Sequence, residues 1–385
     1  MGTVTSTVAQ YFIPELWANR ALEILRANIV MAKLVMRDTD VASFNVGDTL
    51  NIPIPGTFEA KDKAAGSTVT LQTPSDGTVA VQLNKHKEVS FLVEDVVRAQ
   101  ENISVMDTYM NSAVIAIAEA IETSLFGLTV DITQNVGAFG TAVSASTIRS
   151  ARNKLNKAKV AQSERSLVLS SDDETAVLGD SNLSTFFANA RPDAVARGAL
   201  GTIYNFETFM SQYTPVGLKV ALGGATGGTW TVTFNGQTTS GLAHNANAAA
   251  VTAAVVALST VGTGNAQVNA ITGGFEIYLK GALAGNHTEL TGDVSSLTGA
   301  TGAATSTVNY NPGFNRGAFM LAMRALPNPE PNTGARAVAM RDPESGLVVR
   351  VLYAYNPSYL GHQVTVDVLY GVKTIRAAKG VLLYS

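Results

Sequence analysis

"ISVMDTYMNSAVIAIAEAIETSLFGL", residues 103–128, carries the clearest regular pattern in the chain and decides how the rest is read. Met106, Met110, Ala113, Val114, Ile117, Ile121 and Leu125 recur at three- and four-residue spacing. That spacing draws one apolar stripe down a helix over about 103–126, and Gly127 closes it. Asp107, Asn111, Glu119 and Glu122 read as lying mostly off the stripe. A long helix with a single apolar face must be covered by another layer.

Strand patterns lie on both sides of that helix. "VGDTLNIPIPG" and "VAVQLNKHKEVSFLV", within 41–93, alternate with period two, and the polar, turn-rich "TFEAKDKAAGSTVTLQTPSDG" separates them. This predicts a long two-stranded excursion with a solvated tip. A lone hairpin is marginal in water, so it needs a surface to lie on. Upstream, Pro14 opens "PELWANRALEILRANIVMAKLVMRD", where Leu16, Trp17, Ile24, Leu25 and Ile29 predict a helix ending near Arg37.

Downstream, "SASTIRSARNKLNKAKV" predicts a helix and "RSLVLS" a short buried strand. "SSDDETAVLGDSNLSTFF" predicts another helix, with Ser171 and Glu174 spaced as a capping box. Gly198 and Gly201 mark a turn before a strand from Ile203 to Met210. "RGAFMLAMRALPNPE" is an apolar segment stopped by Pro327 and Pro329. In the tail, Val364, Val366, Val368 and Tyr370 share one face by strict alternation.

Between Pro215 and Asn311 the composition changes. Residues 216–310 hold 16 of the 34 glycines and only five charged residues, Lys219, Glu276, Lys280, Glu289 and Asp293. The segment still has periodicity. "TWTVTFN" turns Trp230, Val232 and Phe234 inward, and Val251, Ala254, Val255 and Leu258 form a helical stripe. "GFEIYLKG" alternates through Phe275, Ile277 and Leu279. The order strand, helix, strand, strand describes a small α/β insertion domain with a core around Trp230, Phe234, Val255, Leu258 and Phe275. Its Gly-rich flanks read as hinges.

Composition excludes several classes. The 385 residues suffice for two or three domains, there is no cysteine, and the net charge is −3 with pI about 5.9. That argues against thiolate chemistry and against a dedicated nucleic-acid binder. No uninterrupted apolar run reaches membrane-spanning length. The four histidines, His86, His244, His287 and His362, are scattered, and no phosphate loop, nucleophile elbow or metal spacing occurs. Catalytic, cofactor and metal residues are therefore not expected. Asp172 and Asp173 read as acids complementing a helix N-terminus. The one basic run, Arg149, Arg152, Lys154, Lys157 and Lys159, reads as a solvated face or a partner-selecting surface.

"FIPELWANRALEIL" followed by "VGDTLNIP", "VSFLVEDVVRAQ" leading into the 103–126 pattern, "RGALGTIYNFETFMSQYTP", "GFNRGAFMLAMRALPNPE" and "VTVDVLYGVKTIRAAKGVLL" stand in an order that resembles one family. It is that of tailed-bacteriophage major capsid proteins of the Hong Kong 97 fold, in the branch with an inserted accessory domain. The resemblance implies an α+β chain with an N-terminal arm and helix (1–40) and an extended β-hairpin loop (41–90). A peripheral domain with the spine helix (91–139) would be completed by strands in about 335–368. An axial domain (140–215 and 311–385) would carry the insertion at 216–310. The implied function is self-assembly, through hexamers and pentamers, into the icosahedral virion shell around double-stranded DNA, in the host cytoplasm. Separate scaffolding and portal proteins, and optionally a decoration protein, are the expected partners. DNA is met only by weak, non-specific contact, and no membrane is involved. Glu59, Lys61, Asp62 and Lys63 in the loop, and Arg149, Arg152, Lys154 and Lys157, become candidate inter-subunit contacts. Lys61 and Lys63 lie where some relatives crosslink, but no motif marks an acceptor Asn or catalytic Glu. An encapsulin-type nanocompartment shell or a phage tail or adhesin subunit are the alternatives; an enzyme would need a convergent polar constellation that is absent.

Overall fold

A computed structural model places most of the strands in two large sheets and lays one long helix across the first. It describes residues 20–37, 49–95, 104–183, 200–329, 335–341 and 347–385, less positions 22, 26–28, 55–57, 70, 73–76, 182, 284, 286 and 288. The expected helix start at Pro14 to Trp17, the loop's first residues and Gly198 lie outside the described residues.

The first sheet runs Met36–Arg37, Phe319–Arg324, Gly361–Thr374, Val348–Asn356, Ala335–Arg341, with Lys85–Glu94 also paired to Gly361–Thr374. Alternation along the central strand buries Val364, Val366, Val368 and Tyr370 on one face. The Ser104–Phe126 helix covers that face with Met110, Ala113, Val114, Ile117, Ile121 and Leu125, the stripe read from the sequence. Tyr370 fixes the contact: its hydroxyl donates to the Ala120 carbonyl at 3.1 Å and lies 2.9 Å from Ser124 Oγ. The stretch 109–131 has a mean hydropathy of 1.7 and is long and apolar enough to cross a bilayer, contrary to the expectation from uninterrupted runs. Here the sheet covers its apolar face.

The N-terminal segment joins the same core through Ala21, Leu25, Ile29, Met31, Ala32 and Val35. The helix does not continue to Arg37. Met31–Leu34 is a separate single turn, and Met36–Arg37 is a strand lying parallel to Met320 and Leu321. The extended hairpin pairs Thr49–Ile54 with Gly77–Gln82. Its Leu50, Ile52 and Val81 pack on Met320 and Ala322, which is the surface a lone hairpin requires.

The second sheet has nine strands. Along its main path they are Ala266–Ile271, Gly274–Leu279, Val216–Ala221, Ala304–Asn315, Arg165–Leu169, Phe206–Met210 and Thr202–Ile203. Gly380–Tyr384 lies beside Ala304–Asn315, and Asn135–Gly137 beyond it. The Ala145–Lys157 helix buries Ile148, Ala151 and Leu155 against Leu167, Leu169, Val381 and Leu383. The next helix, Ser171–Gly179, is capped one residue earlier than the sequence suggested: Ser170 Oγ accepts from the Asp173 N–H at 3.2 Å. The hydroxyl one residue upstream has the extended backbone a cap requires.

Within 216–310, Trp230, Phe234, Val255, Leu258 and Phe275 do share one hydrophobic cluster. Gly227–Phe234 is the hub of a small five-stranded sheet, and Asn247 caps the Ala248–Val256 helix. Two readings change. Residues 223–228 form the turn between Val216–Ala221 and Gly227–Phe234, where Gly223, Gly224 and Gly228 take positive φ, so these glycines serve a turn and not a hinge. The expected boundary at 310/311 falls inside one continuous strand. Gly274–Leu279 is also buried on both faces, because Tyr310 and Glu276 close its second side.

Trp230 stacks on Phe275 at 5.5 Å, and its indole N–H has no hydrogen-bond partner among the described residues. Trp230→Ala should cost about 3–5 kcal/mol by opening a cavity. Hydrogen exchange should then speed up across 227–297 while 109–126 keeps its protection.

Candidate subunit-contact surface

Residues 58–69 and 71–72 at the hairpin tip have no regular structure and almost no burial. Glu59, Lys61, Asp62 and Lys63 stand there together, fully in solvent. So do three apolar side chains that the sequence reading passed over: Phe58, Val69 and Leu71 are 69, 67 and 90% exposed. The tip is closed at its base by Gln72, whose side chain accepts from the Glu59 N–H and donates to the Glu59 carbonyl. These apolar groups are exposed in a segment without regular structure of its own.

The basic helix gives a less unified surface. Arg149 is exposed over the Tyr204 ring at 5.9 Å, and Lys157 is exposed. Lys154 donates to the Asn135 carbonyl, and Arg152 is half-buried with an unpartnered Nε. Two of the four candidates thus serve the chain's own packing. The tip belongs to a hairpin on the first sheet and the basic helix to the second, so the structure does not join them in one site.

A second exposed apolar group lies at the turn joining Val348–Asn356 to Gly361–Thr374: Tyr355, Tyr359 and Leu360. Behind it, Tyr353 stacks on His362 with centroids 5.0 Å apart, its hydroxyl 2.6 Å from His362 Nδ1, and Tyr355 donates to Asp95 at 3.0 Å. Asp367 stiffens this sheet from within. Buried, it receives a bidentate Arg350 and a His86 contact at 3.1 Å.

Glu122 corrects the sequence reading most directly. Read as lying off the stripe, it is fully buried. Its two oxygens accept the Met31 and Ala32 backbone N–H groups, each at 3.0 Å, so it caps the Met31–Leu34 turn from the spine helix. Burial pushes its carboxyl up to about 7, against the downward pull of those N–H groups and Lys33. The available signal was its position four residues after Ala118, inside the stripe. Among the described residues no three His, Asp or Glu side chains gather as a metal site.

No protein-family profile and no curated protein sequence matches the chain. Solved structures do. A chain of the capsid of Cyanophage P-SCSP1u is similar over 92% of this chain and 88% of its own, at 11% identity and a TM-score of 0.50. A chain of the acid-stable capsid of Helicobacter pylori bacteriophage KHP30 is similar over 92% and 88%, at 10% identity and a TM-score of 0.51. This chain has the Hong Kong 97 fold. The α+β class expected from the sequence is thereby shown, with the spine helix on the first sheet and the extended loop standing on its Phe319–Arg324 strand.

The Glu122 carboxyl is raised in the folded state, so its contribution to stability is full below its ordinary value of 4.5 and is lost as pH rises through about 7. The shift corresponds to about 3 kcal/mol. Glu122→Gln should flatten the fall in melting temperature between pH 5 and pH 8 (roughly the window either side of these values). An unchanged slope would assign it to another group.

Proposed function

We propose that this protein is the major capsid protein of a tailed bacteriophage, which assembles through hexamers and pentamers into the icosahedral shell around double-stranded DNA. The observation that carries the reading is structural similarity along 92% of the chain to chains of two phage capsids. The exposed surfaces support it. The tip at 58–72 and the turn at 355–360 offer apolar side chains that no described residue covers. In a shell, neighbouring copies cover such patches.

In this reading the protein is structural and not an enzyme, and it resides in the virion after assembly in the bacterial cytoplasm. Glu59, Lys61, Asp62 and Lys63 select the neighbour's surface by charge while Phe58, Val69 and Leu71 supply the buried area. Arg149 and Lys157 are the basic-helix residues left free to meet another copy. Scaffolding and portal functions come from separate proteins. Residues 216–310 form an accessory domain on the axial half, whose low charge suits an outer-surface position, where a decoration protein could bind.

Expression of the full chain, followed by electron microscopy, tests the proposal. Closed icosahedral particles are expected; DNA inside virion-derived particles separates a virus shell from a protein-loaded compartment. Deleting 58–72 should leave a folded subunit with an unchanged melting temperature that forms no shells. Normal particles from the deletion variant would remove the loop from the assembly mechanism.

A further inference from the structure

A cavity of about 290 Å³ opens where the base of 216–310 meets the rest of the chain. Tyr278, Tyr310 and Tyr384 form much of its wall, with the amides Asn135, Gln267 and Asn269. Gly217 leaves room for the Tyr310 ring: a Cβ there would stand 2.8 Å from the ring and hydroxyl.

Behind the wall lies Glu276, almost completely buried. Its carboxylate accepts the Tyr310 hydroxyl and, at 3.3 Å, the Asn269 amide, so both hydrogen-bond partners also line the cavity. It has no cationic partner among the described residues. Lys219 is opposite it in register on the neighbouring strand but makes no ion pair, and Lys280 is turned to Gln267 Oε1 at 3.3 Å. A buried carboxylate without a cation is costly.

Several of the lining's donors point away from the cavity. Tyr310 donates to Glu276, Asn269 to Glu276, Gln267 to Asn269 Oδ1 at 3.2 Å, Asn135 to the Tyr384 hydroxyl at 3.3 Å, and Thr129 to the Phe126 carbonyl at 2.7 Å. What distinguishes the lining is three tyrosines beside a buried carboxylate that has no cation among the described residues. Ring quadrupole and carboxylate both favour positive charge, and anions would meet the carboxylate's field.

We propose that this cavity is a binding site for an organic cation, a guanidinium or primary ammonium head group, held by Tyr278, Tyr310 and Tyr384 in the field of Glu276. The head group arrives on a lysine or arginine side chain of another protein chain or on a free alkylamine. Once bound, it adds a hold between Gly274–Leu279, Ala304–Asn315 and Gly380–Tyr384, strands of one sheet.

The test uses the full chain in solution with butylammonium and butylguanidinium chlorides, against matched sodium chloride, sodium butyrate and glucose, followed by ligand-observed NMR. Both cations should bind, and Glu276→Gln, which keeps an oxygen acceptor but removes the charge, should weaken binding at least tenfold at a comparable melting temperature. Asn135→Leu, on an exposed rim position, narrows the cavity from the opposite wall and should also abolish binding, so the result does not hang on one variant. An amine found by mass spectrometry in the purified protein identifies a free ligand. Loss of butylammonium uptake on assembly identifies a side chain of a neighbour. Cations that bind no better than sodium, preferential binding of glucose, or cation binding that survives Glu276→Gln would overturn the proposal.

Discussion

One strand, Ala304–Asn315, carries two halves of the molecule. Residues 304–309 pair with Val216–Ala221, residues 313–315 pair with Arg165–Leu169, and 310–314 pair with Gly380–Tyr384 on the opposite edge. The crossing point contains Pro312, which is rare inside a sheet because it cannot donate to the ladder. Its position explains why it is tolerated. Leu382, opposite it, sends its own N–H away to the Gln134 carbonyl, so the pair is a non-hydrogen-bonded one and Pro312 N points to the other edge. There, at 311–312, one neighbour has ended, its last bond being the Tyr310 N–H to the Pro215 carbonyl, and the next has not begun.

A buried polar network pins this crossing. Asn311 accepts the Ser170 N–H and donates to Asp173 Oδ2, each at 2.7 Å, and Asp173 also receives Ser170, Ser385 and the Val143 N–H. Such networks specify geometry when every member is satisfied. The other sheet has an analogous anchor. Met36–Arg37 joins the edge of Phe319–Arg324, and the hairpin packs on its Met320 and Ala322. The N-terminal segment and the extended loop therefore take their direction from one strand, and Glu122 adds a second hold on the N-terminal segment.

Periodicity made much of this legible. The 3.6-residue stripe on Ser104–Phe126, the alternation through Val364 to Tyr370 and the core around Trp230 all occupy the places the pattern assigned. The misreadings concern charged residues. Glu122 reads as lying off the stripe because the backbone N–H groups it accepts from are 90 and 91 residues away. Asp173 does stand in the first turn of a helix as expected, yet its Asn311 partner, 138 residues on, and the Tyr310 partner of Glu276, 34 residues on, have no sequence signature. Pattern alone places a carboxylate outside; only tertiary partners bring it in. Glycine misled differently: a Gly-rich run reads as flexible, yet Gly223, Gly224 and Gly228 take positive φ where the chain passes from one sheet to another. The apolar tip side chains Phe58, Val69 and Leu71 were visible as residues, but their exposure has no periodic signature.

If the accessory segment and the host share one sheet, they must move as one. Residue-resolved hydrogen exchange along Ala304–Asn315 measures this directly. The amides of 304–309 that bond to Val216–Ala221 should be protected to the same order as those of 313–315 that bond to Arg165–Leu169. Protection at 304–309 that is lower by several orders of magnitude would show a hinge at the crossing and contradict the continuous sheet.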